Sequence, residues 1–532
     1  MIRIKGLSFP ADYTSQHLMG AAAARLGIPP EDLETLEISS RSVDASDKSR
    51  VCYSIDLDVT VRTDEKTLVW GLKDKKVRLA EPEIYRPVHS DRDGHLAERP
   101  VVVGCGPAGM FAALILAESG ERPVLYERGK DVDARTESVR KFWETGVLDP
   151  ESNVQFGAGG AGAFSDGKLK AGLKDARKKK ILSEFVAAGA PPDILYDKMP
   201  HIGTDVLRVV VKNILAKIRS LGGEIYFESR LTRILSDNGR VTGAGIECHG
   251  SYTEIRTDHL VLAVGHSARD TFAYLESAGI RMEAKPFAVG VRIEHPQSLI
   301  DRIHYGESAG RPGLGASPYK MVVHLPDGRA VYTFCMCPGG FVVAAASEEG
   351  RLVTNGMSER KRDRTNANSA ILVTVTEKDI GSDAPLAGIA FQRKIEEAAY
   401  AAGGGAFRAP VQRLGDFAAD RNTAEFGSVL PSYRPGTAFA RTDSYLPSEI
   451  AGALRRGFRE MGEWMPGYFY EDALMTGAET RSTSPVRIVR GGSGEAEGLK
   501  GLYPCGEGAG YAGGILSAAA DGILSAEKIL AD

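Results

Sequence analysis

Glycines 104, 106 and 109 follow the short β-branched run 101–103 in G-x-G-x-x-G spacing. That spacing suits the chemistry of holding a dinucleotide. The first glycine permits a tight turn, the second lets a pyrophosphate approach the backbone, and the third lets a helix pack close on its strand. The helix that follows offers free N–H groups and the positive end of its dipole to the phosphates. Glu127 ends a second apolar run, 123–126, where it is placed to take a ribose hydroxyl pair. An acid at that point suits an unphosphorylated ribose, so the site reads as FAD or NAD rather than NADP.

Two further stretches bear on the same ligand. Five glycines fall between 157 and 167, and such a stretch is costly to order unless its backbone must come close to something. Gly157 to Gly162 repeats the G-x-G-x-x-G spacing but lacks a leading strand and a trailing acid, which argues against a second nucleotide unit. The loop is expected to lie against the isoalloxazine ring or the phosphates of the first cofactor, with a lid loop as the alternative. Far along the chain, Gly506-Glu507 follows an apolar run, and 512–522 opens a helix of small residues. Glu507 can accept hydrogen bonds from ribityl hydroxyls, and the N–H groups opening that helix can face the flavin pyrimidine edge. A plain NAD dehydrogenase has no use for such a segment, so the combination selects FAD.

Other chemistry-bearing residues are scattered. His266 follows a buried parallel strand ending at Gly265, where α/β sheets place ligands. A histidine beside a helix cap is an equal alternative, because Ser267-x-x-Asp270 reads as a capping box. Glu479 and Arg481 lie in E-T-R-S-T-S-P. Arg481 suits an anionic substrate or the charge of a reduced flavin, or else belongs to a buried ion pair stapling one domain to another. Cys335 and Cys337 form a C-x-C without the spacing of the usual dithiol or zinc motifs. On a regular strand they point to one face as small apolar residues, so a redox role is the weaker reading. No H-E-x-x-H or C-x-x-C pair occurs, and zinc chemistry is unsupported.

The elements that must position these residues divide the chain. Residues 1–95 suggest a small N-terminal α+β domain: a strand at 2–4, a helix over 14–26 stopped by Gly27, and period-two alternation over 51–62. Prolines 82, 87 and 100 mark a linker. A helix over 205–221, strands at 224–228 and 231–235, and a hairpin at Asp237-Asn238-Gly239 come next. Between 285 and 471 the character changes to strand-like pieces (288–294, 320–325, 330–335, 340–345) joined by Gly/Pro turns. A long helical stretch then starts near Leu386. That region is expected to be an inserted α+β substrate or cap domain.

The 532 residues carry a formal charge of −4 and 43% hydrophobic residues, which exert no global pull toward nucleic acid or anionic membranes. The basic residues 168, 170, 174 and 177–180 read as a solvated helix face, with an anion or NADPH phosphate site as the alternative. Six cysteines in so long a chain do not make a disulfide framework, so a reducing, cytoplasmic setting is expected. No apolar run reaches the length of a membrane span. The oligomeric state is open.

The two ends together resemble FAD-containing flavoproteins of the glutathione-reductase type. Five stretches narrow this: 157–169, H-I-G-T-D at 201–205, K-P-F-A-V-G-V-R-I-E-H-P at 285–296, E-T-R-S-T-S-P-V-R at 479–487 and C-G-E-G-A-G-Y-A-G-G-I at 505–515. They are similar to the uncharacterised FAD-dependent dehydrogenase family, whose members are often labelled NAD(FAD)-utilising dehydrogenases. The resemblance implies an α/β, Rossmann-like FAD domain split into 97–284 and 472–532 around the insertion at 285–471. It carries FAD contacts onto Gly104, Gly106, Ala108, Gly109, Glu127, Arg128, Gly160, Ser165, Gly167, Gly265, Gly506, Glu507, Gly513, Gly514 and Ile515. The family loop usually has an acid and a threonine where this chain has Ala158 and Ala163, so side-chain roles at those two positions are not implied.

These readings point to a flavin-dependent oxidoreductase of a small organic molecule, with His266, Glu479 and Arg481 as candidate catalytic groups. With one convincing dinucleotide fold, any NAD(P)H would bind transiently. A flavoprotein acting on RNA, or one that keeps FAD as a structural or sensing group, are the alternatives.

Overall fold

A computed structural model describes residues 1–88, 95–169, 172 and 175–532. Its centre is a five-stranded parallel sheet. The strand order is Leu502–Pro504, Leu260–Leu262, Val101–Val103, Val124–Tyr126, Glu224–Tyr226. The first strand of the nucleotide fingerprint therefore lies in the middle, and the last strand of the chain returns to the sheet edge. Helix Pro107–Glu118 is apolar nearly all round, with every residue from Ala108 to Ala117 buried. A helix of that composition belongs inside a protein. Here it lies between the sheet and helices Thr204–Ser220 and Ile515–Ala531. A three-stranded antiparallel sheet, Ser229–Asp237, Arg240–Cys248 and Ser251–Arg256, covers the other side. This is the α/β, Rossmann-like architecture expected from the strand and helix pattern.

A second, larger sheet is built from 287–479. Strand Phe287–Pro296 pairs antiparallel with Asn366–Val375 on one side and Leu474–Glu479 on the other. Both chain crossings between the two sheets pass through a small ribbon, Met282–Ala284 with Val486–Ile488. The pieces expected as two strands at 330–335 and 340–345 are one strand, Ala330–Ala344, whose register breaks between Phe334 and Cys337 and again between Cys337 and Gly340. Cys335 sits in the break with φ 43. The period-two argument that made both cysteines equivalent assumes an unbroken pleat, which the strand does not keep.

At the N-terminus a four-stranded antiparallel sheet has the order Leu33–Asp44, Cys52–Val61, Ile2–Phe9, Val77–Leu79. Helix Ser15–Leu26 packs on it, capped by a reciprocal Thr14–His17 pair and ended by Gly27 at φ 67. Arg41 fastens this unit to the rest, donating to both Asp197 oxygens at 2.6 and 2.9 Å. No helix among the described residues is long and apolar enough to cross a membrane.

Candidate functional site

The fingerprint turn is shaped by contacts that exclude side chains. Gly104 has φ 101, and a Cβ there would lie 2.3 Å from the Ala263 carbonyl oxygen of the neighbouring strand. Gly106 caps helix Pro107–Glu118 without any side-chain cap, and Pro107 fills the first helical position. The first-turn N–H groups thus have no capping side chain, and Gly106, Pro107 and Ala108 line a cavity of about 340 Å³. Gly109 is not on that wall. A Cβ at Gly109 would come 1.9 Å from the Gly104 oxygen, so its absence lets the helix sit down on the turn.

Glu127 is tied into the backbone around it. Its Oε2 accepts from Cys105 N–H at 2.7 Å, and its Oε1 accepts from Gly129 and Gly157 N–H, both at 2.9 Å. One carboxylate therefore ties the fingerprint turn, its own turn and the glycine loop together. Oε2, with a single bond, keeps a lone pair for a ligand hydroxyl at the cavity wall. The neighbouring Arg128 guanidinium is committed to Glu151 and Asp270 and lies 4.2 Å over the Phe156 ring. It can offer a ligand packing and backbone, with little free donor capacity.

The glycine loop is seated on the fingerprint. A Cβ at Gly160 would stand 2.8 Å from Gly106 Cα, and Gly160, Ser165 and Gly167 line the cavity. Arg135, which the sequence reading passed over, holds the loop from behind. It is fully buried and donates to the carbonyls of Asn153, Val154, Gly157 and Ala158. Burial lowers its guanidinium to about 10. No local pattern marks this arginine, since its partners are carbonyls of a loop some twenty residues away.

From the far end of the chain, Gly506 donates to Asp521 at 2.7 Å, and Gly506, Glu507, Gly513, Gly514 and Ile515 reach the same wall. Nothing lies within 4 Å of a Cβ built at Gly265, Gly513 or Gly514, so these glycines open space on the cavity. The Glu507 carbonyl accepts from Gly510 N–H at 3.0 Å, while its carboxyl has no hydrogen-bond partner among the described residues. Burial pushes its carboxyl up to about 7, with Lys285 pulling the other way and Cys335 adding to the rise. An extended groove of backbone N–H groups and small residues, with Glu127 and Glu507 on its wall, fits a flavin dinucleotide.

The candidate catalytic residues come together at one end. His266, Glu479 and Arg481 all line the cavity, with Phe334, Cys335 and Asn355 of the larger sheet. Burial, then Arg481 and Arg269, hold the His266 imidazole down to about 3, so it is neutral at pH 7. Its Nδ1 lies 3.2 Å from Ser267 Oγ. The capping box expected from Ser267 and Asp270 does not form. Helix Arg269–Ser277 has no side-chain cap, Ser267 donates to Gln155, and Asp270 is taken by Arg128. Glu479 is gripped by both arms of Arg292 at 2.6 and 2.7 Å. Burial disfavours the Arg292 charge, and Glu479 overrides it.

Arg481 takes the second of its two expected environments. With Arg269 it encloses Glu396, which is fully buried and also accepts from Thr480 at 2.7 Å. Glu396 sits on helix Ala387–Ala402 of the insertion and Arg269 on a helix of the nucleotide unit. The cluster staples the two together, and Arg481 still presents an edge to the cavity.

The basic run is largely accounted for. Lys168 lines the cavity beside Asp166 at 3.1 Å, Arg177 pairs with Glu527, and Lys180 with Glu118 and Glu184. Lys170 and Lys174 lie outside the described residues. Among the described residues, Lys178 and Lys179 are what remains of the run.

Residues 98–284 match the model of the pyridine nucleotide-disulphide oxidoreductase domain, and 286–482 match that of the FAD-dependent protein C-terminal domain. An uncharacterized protein of Clostridium beijerinckii is 47% identical over 99% of this chain and 98% of its own length. Among solved structures, a variant of the flavin-dependent brominase Bmp2 is 13% identical, with TM-score 0.35 over 81% of this chain and 80% of that one. A geranylgeranyl bacteriochlorophyll reductase-like protein of Thermoplasma acidophilum is also 13% identical, with TM-score 0.34 over 82% and 79%.

Proposed function

This chain belongs to the FAD-dependent oxidoreductase family that it shares with its Clostridium relative, and from that premise we propose that it exchanges a hydride between bound FAD and a small organic molecule. The observation that carries the reading is the composition of the cavity at the fingerprint turn. It is walled by the fingerprint turn, the glycine loop and the 506–515 segment, together with Phe334, Cys335, Asn355, Glu479 and Arg481. The boundaries 97–284 and 472–532 for the FAD domain, 285–471 for the cap and 1–95 for the N-terminal domain fit that division.

Bound FAD supplies the two-electron chemistry. The chain supplies the rest. The helix N-termini at Gly106 and Gly514, which carry no side-chain cap, favour negative charge on a bound cofactor. Neutral His266 can donate or accept a hydrogen bond but does not hold a positive charge at neutral pH. Glu507 can hold a proton near pH 7 on the wall beside the ring. Arg481, whose nitrogens already donate to Glu396, Ser347 and Glu348, keeps one Nη1 hydrogen for an anionic substrate at the cavity. NADH or NADPH, if used, enters transiently from solvent.

Anaerobic mixing of the purified yellow protein with NADH, NADPH and dithionite tests the reading. Fast bleaching by a nicotinamide supports it. Reduction by dithionite alone supports a structural or sensing flavin instead. A colourless preparation whose denatured supernatant held no FAD would sink the cofactor itself.

A further inference from the structure

Cys335 and Cys337 are placed unlike the other cysteines. Cys335 forms part of the cavity wall, and Cys337 lies directly behind it, fully buried. The Cys337 S–H donates to the Cys335 carbonyl at 3.3 Å, and the two thiols interact with each other. A regular strand holds residues i and i+2 about 6.6 Å apart, the far end of what a disulfide spans. The left-handed backbone at Cys335 and the register breaks on both sides take the pair off that line.

Cations surround the pair. Lys168 Nζ is 3.8 Å from Cys337 Sγ, and Arg292 donates to the Cys335 carbonyl at 3.1 Å. Asp166 and Glu479 balance these cations from their far sides. The hydrogen bond from Cys337, with Lys168 and Arg292, draws the Cys335 thiol well below its ordinary value. Cys105 shows the opposite environment, where burial pushes the thiol up to about 12. The charge on Cys335 also reaches Glu507 on the flavin-facing wall.

We propose that Cys335 and Cys337 form a dithiol–disulfide couple that passes two electrons to and from the bound FAD. The Cys335 thiolate and the Cys337 thiol lose two electrons and one proton as the sulfur–sulfur bond forms. The electrons and the proton end on FAD, giving its reduced anion, and the reverse step regenerates thiolate and thiol. The inference rests on the FAD and is independent of the substrate proposed above.

The test uses the holoprotein. Anaerobic dithionite titration of air-oxidised protein should consume four electrons per flavin, and C335S and C337S should each consume two. Alkylation under denaturing conditions should leave Cys335 and Cys337 unmodified on one peptide two hydrogens lighter, with Cys52, Cys105, Cys248 and Cys505 alkylated. Reduction before denaturation should expose all six. Wild-type protein that takes two electrons per flavin and alkylates at all six cysteines while oxidised overturns the proposal. If a serine variant came out colourless, the wild-type alkylation pattern would decide alone. Failure of the thiol couple in a yellow protein leaves the flavin reading standing, so the two are told apart.

Discussion

Glu127 Oε1 accepts the Gly157 N–H at 2.9 Å, joining the end of the second parallel strand to the glycine loop thirty residues on. The same carboxylate holds Cys105 N–H in the fingerprint turn. A glutamine there would turn an NH₂ toward backbone donors and give up the charge that shortens these bonds. Glu127→Gln should therefore weaken FAD binding by about 2 kcal/mol, roughly thirty-fold in Kd. Fluorescence titration of the apoprotein with FAD measures it. An unchanged Kd would mean the carboxylate organises nothing the flavin uses.

Gly513 separates ligand fit from folding. Its φ lies outside the left-handed region, and an added Cβ would meet nothing within 4 Å, yet the residue is on the cavity wall. Gly513→Ala should leave the urea midpoint of the apoprotein within about 0.5 kcal/mol of wild type, while a methyl group intrudes where the ligand must lie. Loss of FAD affinity with unchanged apoprotein stability is the expected result. Equal affinity in G513A would place the flavin elsewhere along the groove.

The Arg269–Glu396–Arg481 cluster should behave as a structural staple. Burial opposes the Glu396 charge, but Arg481 and Arg269 hold its carboxyl well below the usual range. Removing the charge leaves two buried guanidinium groups with only Glu348 between them, at a cost of about 3 kcal/mol. Glu396→Gln should show that loss in denaturant unfolding at pH 7. Because the folded value is depressed, the carboxylate's contribution is complete above the unfolded value of about 4.3. It fades as pH falls toward the folded one. Wild type and E396Q should accordingly converge in stability in acid, and parallel curves down to pH 3 would contradict the assignment.

The parts of this site that sequence made legible are those a short stretch dictates by itself. The turn at Gly104, the close approach at Gly109 and the strand-end positions of Glu127 and Gly506 follow from local spacing, and all but Gly109 come to one cavity. What escaped depends on partners far apart in the chain. Arg135 looks like any helix arginine until the 153–158 carbonyls close over it. Asp270 reads as a cap until Arg128, 142 residues away, takes it. Cys335 and Cys337 look like two small residues on one strand face until the register breaks between them and their neighbours. Tertiary pairing overrides local preference at each of these places, and each lies at the cavity or against it.

Glu507 gives the site a pH signature. Burial raises its carboxyl to about 7 from the ordinary value of 4.5, so between those values the folded apoprotein holds a proton that the unfolded chain has released. Stability must then fall as pH rises through that window. A shift of that size is worth at most about 3 kcal/mol, less for the share of solvent the side chain still sees. Glu507→Gln cannot ionise, so the apoprotein variant should lose this slope and be the more stable of the two above pH 7. Urea midpoints from pH 5 to 8 for both proteins measure it. Added FAD should change the wild-type slope and leave that of E507Q unmoved, because only the carboxyl exchanges its buried proton against a ligand on the same wall. Identical slopes in the two apoproteins would show that Glu507 is already ionised at pH 5 and holds no proton for the reaction.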